Sequence, residues 1–409
     1  MKISLGHTLG LALAAMTITP GCMDADPAAE PPVRIIIETD AELPLDAAPE
    51  PVDVGPAPQL QHIRIDAVPL PAGRSDWIEV DLPPDVLSLT IVALGTPRVT
   101  YVIESLEGPD GRVLVSEAPA GVIIDDTARQ YARFPGPFLS PNRSVSPSTG
   151  LASLLAPNNP GVAVTPGTWR FTIGAMGTLA RLNSEVSVDI WIKRGTSPTR
   201  GRLDLHFHFT GARGWTAATA PTNEDFLRAV DRMESFYEEI GIELGEMTYD
   251  DVPARFQQVD EGFNPLEMES SLEELFALGS YDTGVNMFFV DSIGEFSLGG
   301  TIGGIAGGTP GPSLLPGTSR SGVVVATGLQ PDPDSIGHIM GHETGHFLGL
   351  FHTQEFAQGI TDQIDDTATG FNNADNLMFP TVTPEEAHLS DGQAWVLHRS
   401  PVVVSEDME

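Results

Sequence analysis

Cysteine, basic residues and long apolar runs are all scarce in this sequence of 409 residues. The single cysteine, Cys22, cannot form an internal disulfide or a cysteine-based zinc site. Only 21 Lys and Arg stand against 56 Asp and Glu, giving a formal net charge of -35, so nucleic acid and anionic membrane surfaces would repel the chain. Beyond the N-terminus the sequence has no apolar run of the roughly 18 residues that a membrane-spanning helix needs.

The first residues have the pattern of an export signal. Lys2 precedes a short apolar core from Leu9 to Ile18. The TPGC tetrapeptide that ends at Cys22 resembles a bacterial lipobox, although lipoboxes usually have Leu and a small residue in place of its Thr and Pro. This resemblance implies a lipoprotein signal peptide over residues 1–22 and a lipid on Cys22 that anchors the exported protein at the outer membrane or cell surface. An ordinary secretory signal, with a secreted product, is the alternative.

Composition divides the remainder of the chain. Residues 23–58 alternate acidic residues with prolines, which predicts an extended, disordered linker. Residues 59–196 have short alternating runs separated by Pro, Gly and Asp, and this pattern predicts an all-β sandwich or jelly roll. Because no cluster of catalytic residue types stands out there, we interpret 59–196 as a structural or binding module.

From about residue 200 the pattern becomes α+β. Apolar residues from Leu203 to Phe209 alternate with Asp204, His206 and His208, which predicts a half-buried strand with the histidines on its polar face. An apolar stripe predicts a helix that begins near Thr222 and stops at Gly241. The continuously apolar run Val285–Val290 is typical of a buried central strand.

A metal-ligand pattern stands near the C-terminus. His342 and His346 are one helical turn apart, so both imidazoles lie on one face and can reach a single ion. His338, a further turn back, is a rival ligand, but about 12 Å of helix separates positions 338 and 346, and one straight helix cannot wrap three such residues around an ion. Gly349 allows the chain to leave the helix, and His352 follows three residues later. His338 is therefore interpreted as a packing residue or a neighbour of the ligands.

The segment from His342 to His352 reads HETGHFLGLFH, which resembles the HExxHxxGxxH signature of the metzincin metallopeptidases at every specified position. The downstream NLMFP segment is similar to the metzincin Met-turn, with Met378 as its methionine, and the DQIDDT segment that starts at Asp362 resembles pappalysin-like members. Pro380 stands where some metzincins have a Tyr that donates to the oxyanion. The resemblance covers roughly the last half of the chain and implies a zincin-like α+β catalytic domain over residues 200–409.

This resemblance predicts a zinc endopeptidase that acts on a protein or peptide substrate. His342, His346 and His352 would hold one catalytic Zn²⁺, leaving a coordination position open, and Glu343 would be the general base toward the attacking water. An inactive surface adhesion or binding lipoprotein with a metzincin-like domain is the alternative function. A latent zymogen with residues 60–196 as its propeptide is another, without a cysteine switch because Cys22 is the only thiol.

Two weaker patterns lie near the motif. The glycine-rich stretch at 299–308 is either the rim or edge strand against which metzincins bind extended substrate, or a surface loop without substrate contact. The acidic residues that follow the motif predict a calcium site, since Ca²⁺ prefers carboxylate oxygens: Asp362, Asp365, Asp366 and Asp375.

Overall fold

The computed structural model describes residues 33–35, 59–119, 121, 123–124, 129, 132–145, 150–260, 270–294, 302–328, 332–355, 360–368, 373–381 and 387–406. The predicted signal peptide, with Cys22, lies outside these residues. Of the predicted linker, 23–58, the structure describes strand β1 (Val33–Ile35), which pairs in parallel with Ile78–Val80. No described helix has both the length and the apolar character to cross a membrane.

The N-terminal region, residues 59–196, consists of two sheets that enclose one hydrophobic core. Its strands are β2 (Leu60–Leu70), β3 (Ile78–Leu82), β4 (Val86–Gly95), β5 (Thr100–Glu107), β6 (Val113–Val115), β7 (Leu151–Ala156), β8 (Gly167–Met176) and β9 (Ser184–Arg194). The five-stranded sheet has the order β1-β3-β8-β5-β6 and the four-stranded sheet the order β2-β9-β4-β7. In β3 the alternation of Ile78, Val80 and Leu82 with acidic residues buries one face and leaves the other partly exposed.

Short helical segments interrupt these strands. A 3-10 turn covers Pro71–Gly73, and a one-turn helix, α1, covers Pro135–Phe138. Phe138 is buried, and the segment around α1 lies between β6 and β7 in the chain. This segment faces the C-terminal region, since Arg143 donates to the Thr361 carbonyl oxygen and the Ser140 carbonyl oxygen accepts from Gln363.

The C-terminal region, residues 200–406, is built on a mixed six-stranded sheet. Its strands are β10 (Gly201–Phe209), β11 (Ile242–Asp251), β13 (Val285–Val290), β15 (Gly304–Ala306), β16 (Val323–Ala326) and β17 (Val404–Ser405); β12 (Gln258–Val259) and β14 (Ser292–Ile293) pair separately. The main order is β11-β10-β13-β16-β15, and β17 pairs with β10. The first four of these strands run parallel, whereas β15 is antiparallel to β16 and forms an edge.

Two helices cover one face of this sheet. They are α2 (Glu224–Glu238) and α4 (Pro333–Leu348). Asn223 caps α2 by accepting a hydrogen bond from the N–H of Phe226, so the helix begins one residue later than a Thr222 cap would place it. The apolar stripe of α2 packs with Leu205 and Phe207 of β10 and with Ile336 of α4 in one core.

The other face of the sheet is also buried, contrary to the half-buried strand that the alternation predicts. Helix α3 (Ser271–Phe276) and 3-10 turn Ala254–Phe256 pack over it. His206 stacks on Tyr281 with ring centroids 3.9 Å apart, and His208 stacks on Phe288 at 4.6 Å. Each histidine also has a polar side-chain partner, so the strand tolerates two buried imidazoles. The remaining helical segments are the 3-10 turns Ala212–Gly214 and Ala220–Thr222 and helix α5 (Asp391–Leu397).

Buried contacts join the two regions. The Lys193 ammonium of β9 donates to three backbone carbonyl oxygens, those of His398, Ser400 and Val403, at 2.6–3.0 Å. Leu155 of β7 is fully buried and belongs to the core of the C-terminal region rather than to that of its own sheets. The described part of the chain is therefore rich in β-sheet, with several sheets and few helices, and its two regions share an apolar and hydrogen-bonded boundary.

Candidate metal centre

Helix α4 carries the first half of the metal-ligand pattern. Pro333 occupies its first position, where the missing N–H costs nothing. Asp332 stands at the N-cap but makes no capping hydrogen bond with its side chain. Gly349 ends the helix with a φ of 122°, a conformation that glycine adopts without steric cost, and the chain then turns back toward the helix.

This turn brings His352 against the helix. The side chains of His342, His346 and His352 each offer one ring nitrogen, and these three atoms lie within 4.8 Å of one another. The Nε2 atoms of His342 and His352 are 3.3 Å apart. Among the described residues, no other set of three or more His, Cys, Asp or Glu side chains forms such a group.

The opposite ring nitrogens fix how each imidazole is oriented. Nδ1 of His342 donates to the Leu377 carbonyl oxygen at 2.7 Å, and Nδ1 of His346 donates to the Leu350 carbonyl oxygen at 2.7 Å. Nδ1 of His352 is 2.9 Å from a carboxylate oxygen of Glu355. Because carbonyl and carboxylate oxygens only accept, each Nδ1 carries the proton and each Nε2 presents a lone pair to the common point.

These facing lone pairs fit a metal ion. Two unprotonated nitrogens at 3.3 Å repel each other unless a cation lies between them. Two nitrogen ligands at about 2.1 Å from a tetrahedral ion are about 3.4 Å apart, which is close to the observed separation. Burial lowers the pKa of His342 to about 3 and that of His346 well below its ordinary value, so both rings are neutral, ligand-competent imidazoles at neutral pH.

Glu343 lies next to the first ligand and faces the edge strand β15. Burial raises the pKa of its carboxyl group to about 8, and a hydrogen bond from the Ala306 backbone opposes that shift. A Cβ atom at Gly304 would lie 2.5 Å from Cγ of Glu343, so a glycine is needed there. The glycine-rich stretch at 299–308 therefore includes the edge strand β15, which lies beside the three histidines. Residues 299–301 lie outside the described part of the chain.

Met378 lies beneath the ligand-bearing helix. A Cβ atom at Gly345 would be 2.5 Å from its Sδ atom, which shows how closely the two segments pack. The N–H of Met378 donates to Oδ1 of Asn376, whose side-chain amide exchanges two hydrogen bonds of 2.9 and 3.0 Å with that of Gln393. The preceding residue, Leu377, supplies the carbonyl that orients His342. The turn therefore positions one ligand through its backbone and is itself held by α5.

A cavity of about 290 Å³ opens beside two of the ligands. Its C-terminal side includes His346, Phe351, His352 and Glu355. The other side comes from the N-terminal region, through Ala132, Arg133, Phe134, Phe138, Ser144 and Val145. Nothing in the sequence pattern of residues 59–196 indicates this contribution, because it depends on how the two regions pack.

The remaining candidate residues have structural partners. His338 lies outside the histidine group and packs edge-on against Phe236, with ring centroids 5.7 Å apart. Asp366 accepts hydrogen bonds from the Ser390 hydroxyl and the Gly392 N–H and so stabilises the start of α5.

The carboxylates of Asp362, Asp365 and Asp366 do not form a metal-binding group in the described residues. Oδ1 of Asp362 accepts from the Thr367 hydroxyl at 2.6 Å, while its Oδ2 is buried without a hydrogen-bond partner. The calcium site thus stays a prediction, one that the side-chain arrangement does not support.

Glu355 was not predicted from the sequence. It follows His352 by three residues, and a carboxylate close in sequence to a predicted ligand is a usable signal for a residue that orients the ligand.

No protein-family model and no curated protein matches the chain. Among solved structures it is similar to metalloproteinase-II from Bacteroides fragilis, at 16% identity and a TM-score of 0.28, over 51% of this chain. The match spans 61% of that protein's length.

Proposed function

We propose that this chain is a zinc-dependent endopeptidase of the metzincin type, which hydrolyses peptide bonds in extracellular or envelope proteins. The observation that supports this most strongly is the convergence of three Nε2 atoms within 4.8 Å on one side of a helix that also carries Glu343. Three protein ligands leave a coordination position for substrate or water, whereas structural zinc sites normally use four.

The donor set favours zinc among the common metals. Neutral imidazoles suit Zn²⁺, and oxygen-seeking ions such as Ca²⁺ and Mg²⁺ prefer carboxylates and carbonyls. When bound, zinc supplies Lewis acidity that makes water a better nucleophile and polarises the scissile carbonyl. Glu355 and the carbonyls of Leu350 and Leu377 hold the three rings in the orientation that this requires.

Glu343 moves the proton in the proposed reaction. One Oε atom of its carboxylate accepts a proton from the attacking water, and the same group then gives that proton to the nitrogen of the departing amine. Burial of the side chain under β15 keeps competing solvent away from it. Pro380 stands two residues after Met378, where some metzincins have a Tyr, so any extra oxyanion donor comes from another residue or is absent.

Strand β15 is suited to bind substrate in an extended conformation. The Gly303 carbonyl oxygen accepts from the N–H of Ala326 in β16, and the Gly307 N–H donates to the carbonyl oxygen of Gly322, just before β16. By alternation, the backbone groups of Gly304 and Ala306 point the other way. On that side, the Ala306 backbone forms a hydrogen bond with the Glu343 carboxyl group. A peptide that pairs with this edge would have its backbone beside the general base and the three histidines.

The test is cleavage of casein or gelatin by the zinc-loaded full chain, compared with Glu343→Gln. This substitution keeps the size of the side chain but removes the base, so we expect kcat to fall by about 10²–10⁴-fold with one zinc still bound per chain. Glu239→Gln, at an exposed residue, is the matched control and should retain full activity. A zinc-loaded wild type that cuts no protein or peptide would instead favour the adhesion or binding lipoprotein.

We also propose that the chain is anchored by lipid at Cys22 and lies at the outer membrane or cell surface. The support is the export pattern of residues 1–22 and the position of the only cysteine in the chain. Labelling with a fatty-acid analogue should mark the wild type and not Cys22→Ser. Release of unlabelled wild type into the medium would contradict the anchor and favour ordinary secretion.

A further inference from the structure

The cavity beside the metal centre is formed jointly by the two regions. From the C-terminal region it has two ligand rings, His346 and His352, and the aromatic ring of Phe351. Residues 132–145 of the N-terminal region provide the facing wall. A substrate bound at the metal centre therefore meets side chains from both regions.

The wall from the N-terminal region is fixed in place. The guanidinium of Arg143 lies between the rings of Phe138 and Phe351, with Cζ 4.6 and 4.8 Å from the two ring centroids. Arg143 also donates to the Thr361 carbonyl oxygen at 2.6 Å. The Gln363 side chain donates to the Ser140 carbonyl oxygen at 2.6 Å. Since Phe351 precedes the ligand His352, these contacts join the wall directly to the metal centre.

The chemistry of the lining favours an apolar occupant. Phe134, Phe138, Val145 and Phe351 supply hydrophobic surface. Of the two lining residues with full charges, Glu355 is paired with His352, and Arg133 is an exposed cation. Arg133 would repel a basic side chain and attract an acidic one, and Ser144 and Thr309 add two hydroxyl groups to the lining. The three phenylalanine rings favour an apolar occupant, because a polar side chain placed against them would lose hydrogen bonds to water.

We propose that this cavity receives a large aliphatic or aromatic side chain of the peptide substrate, and that residues 132–145 thereby select what the enzyme cleaves. The inference rests on the proposed peptidase function, since it places the side-chain pocket next to the scissile bond. It assigns a specificity-determining role to the N-terminal region, for which the sequence predicts only a structural or binding module.

The test is to fill the pocket from its N-terminal side. Ala132 is a small, partly exposed lining residue, so Ala132→Phe adds bulk without removing a contact. Ala163→Phe, at an exposed position of the same region outside the lining, is the matched control. Both variants and the wild type, as zinc-loaded full chains, are given a peptide mixture in which one position at a time varies from Ala to Leu, Phe, Lys and Asp.

We expect the wild type to prefer Leu or Phe over Ala at one position next to the cleaved bond. Ala132→Phe should reduce that preference by about tenfold or more in kcat/KM, which is the scale of a misfit in an apolar pocket, and Ala163→Phe should leave it unchanged. Phe134→Ala should widen the preference toward larger side chains. An unaltered profile in folded, zinc-containing Ala132→Phe, or a wild-type preference for Lys or Asp, would overturn the proposal.

A binding measurement separates this inference from the proposed function. Calorimetry with the zinc-loaded Glu343→Gln protein measures peptide affinity without any cleavage. Tighter binding of the Leu peptide than of the Ala peptide, lost when Ala132→Phe is added, would uphold the pocket even if the wild type cut nothing. Equal binding of all the peptides would overturn it even if the wild type cut casein.

Discussion

At the residue scale, the candidate metal centre depends on the ring nitrogens that face away from the common point of the three histidines. Each of the three histidines uses Nδ1 to donate to an acceptor, and two of these acceptors are backbone carbonyls that no substitution can remove. Glu355 is the exception, because its carboxylate belongs to a side chain. It is buried, so the charge that it places next to His352 acts through little intervening water.

Removing Glu355 should weaken metal binding. We expect Glu355→Ala to raise the dissociation constant for zinc by about 10–100-fold, because His352 loses the acceptor that orients its ring. Glu355→Gln keeps an oxygen acceptor without the charge, so its dissociation constant for zinc should lie between those of the wild type and Glu355→Ala. Affinity is measured by competition with a chromogenic chelator. The surface pair of His388 with Glu239 offers a control: Glu239→Ala should leave the affinity unaltered, and an equal loss in both variants would contradict a role for Glu355.

Asp362 provides a test of pH dependence. Burial raises its pKa to about 7, from an ordinary 3.8, with Thr367 and Arg143 opposing the shift and Asp366 adding to it. A carboxyl group whose pKa is higher in the folded state contributes its full stability only below its unfolded pKa and loses it as pH rises through the folded value. Asp362→Asn should therefore be more stable than the wild type, by a margin that grows between about pH 4 and pH 7 and is then constant.

The margin for Asp362→Asn should reach a few kcal/mol in chemical denaturation at pH 8 without calcium. Asp365→Asn, at an exposed neighbour, is the control and should change little. The same denaturation experiment, repeated with calcium, tests the calcium prediction. If calcium raises the stability of the wild type and Asp362→Asn abolishes that gain, Asp362 is a ligand after all.

At the element scale, local patterns predicted more than did patterns that depend on distant partners. The spacing of His342, His346 and His352, with Gly349 between them, depends on one helix and one turn, and the structure brings these residues together. The capping box at the start of α5 is equally local, because the Ser390 side chain and Gln393 exchange hydrogen bonds within one turn. By contrast, the alternation in β10 could not reveal that His206 stacks on Tyr281 and His208 on Phe288, because both partners come from later in the chain.

The turn that contains Met378 should depend on α5. The side-chain amides of Asn376 and Gln393 form a closed pair, and Gln393 also accepts from the backbone N–H of Ser390. Gln393→Ala would leave the buried Asn376 amide without its partner, a loss of about 1–3 kcal/mol. Asp391→Ala, at an exposed position on the same helix, should cost much less. Urea denaturation measures both, and equal losses would contradict the importance of the pair.

At the scale of the whole molecule, the composition of the chain suggests separate regions on either side of residues 197–199. Side chains of the two regions are nevertheless in direct contact. The buried Lys193 ammonium donates hydrogen bonds to the backbone carbonyl oxygens of residues 398, 400 and 403, which lie more than 200 positions further along the chain. The wall of residues 132–145 borders the metal centre. Sequence patterns report periodicity within an element, and they carry no information on which surface of one region meets which surface of another.

The two neighbouring leucines of β7 allow this coupling to be measured. Leu155 packs into the C-terminal core and lies against Gly349, where a Cβ atom would be 2.9 Å from Leu155 Cδ2; Leu154 points into the core of the N-terminal region. Each substitution by Ala should cost about 2–5 kcal/mol of folding stability, because both leucines are almost fully buried. Their effects on the metal centre should differ, since Gly349 sets the turn between His346 and His352.

Under conditions where both variants remain folded, Leu155→Ala should therefore release zinc to a chelator faster and bind it more weakly than the wild type, whereas Leu154→Ala should match the wild type in both respects. Stopped-flow release and competition titration give the two quantities. If the variants behaved alike, the N-terminal region would support the metal centre only through overall stability. A difference confined to Leu155→Ala would show that a residue from the N-terminal region, far from any ligand in sequence, shapes the turn that brings the third histidine to the other two.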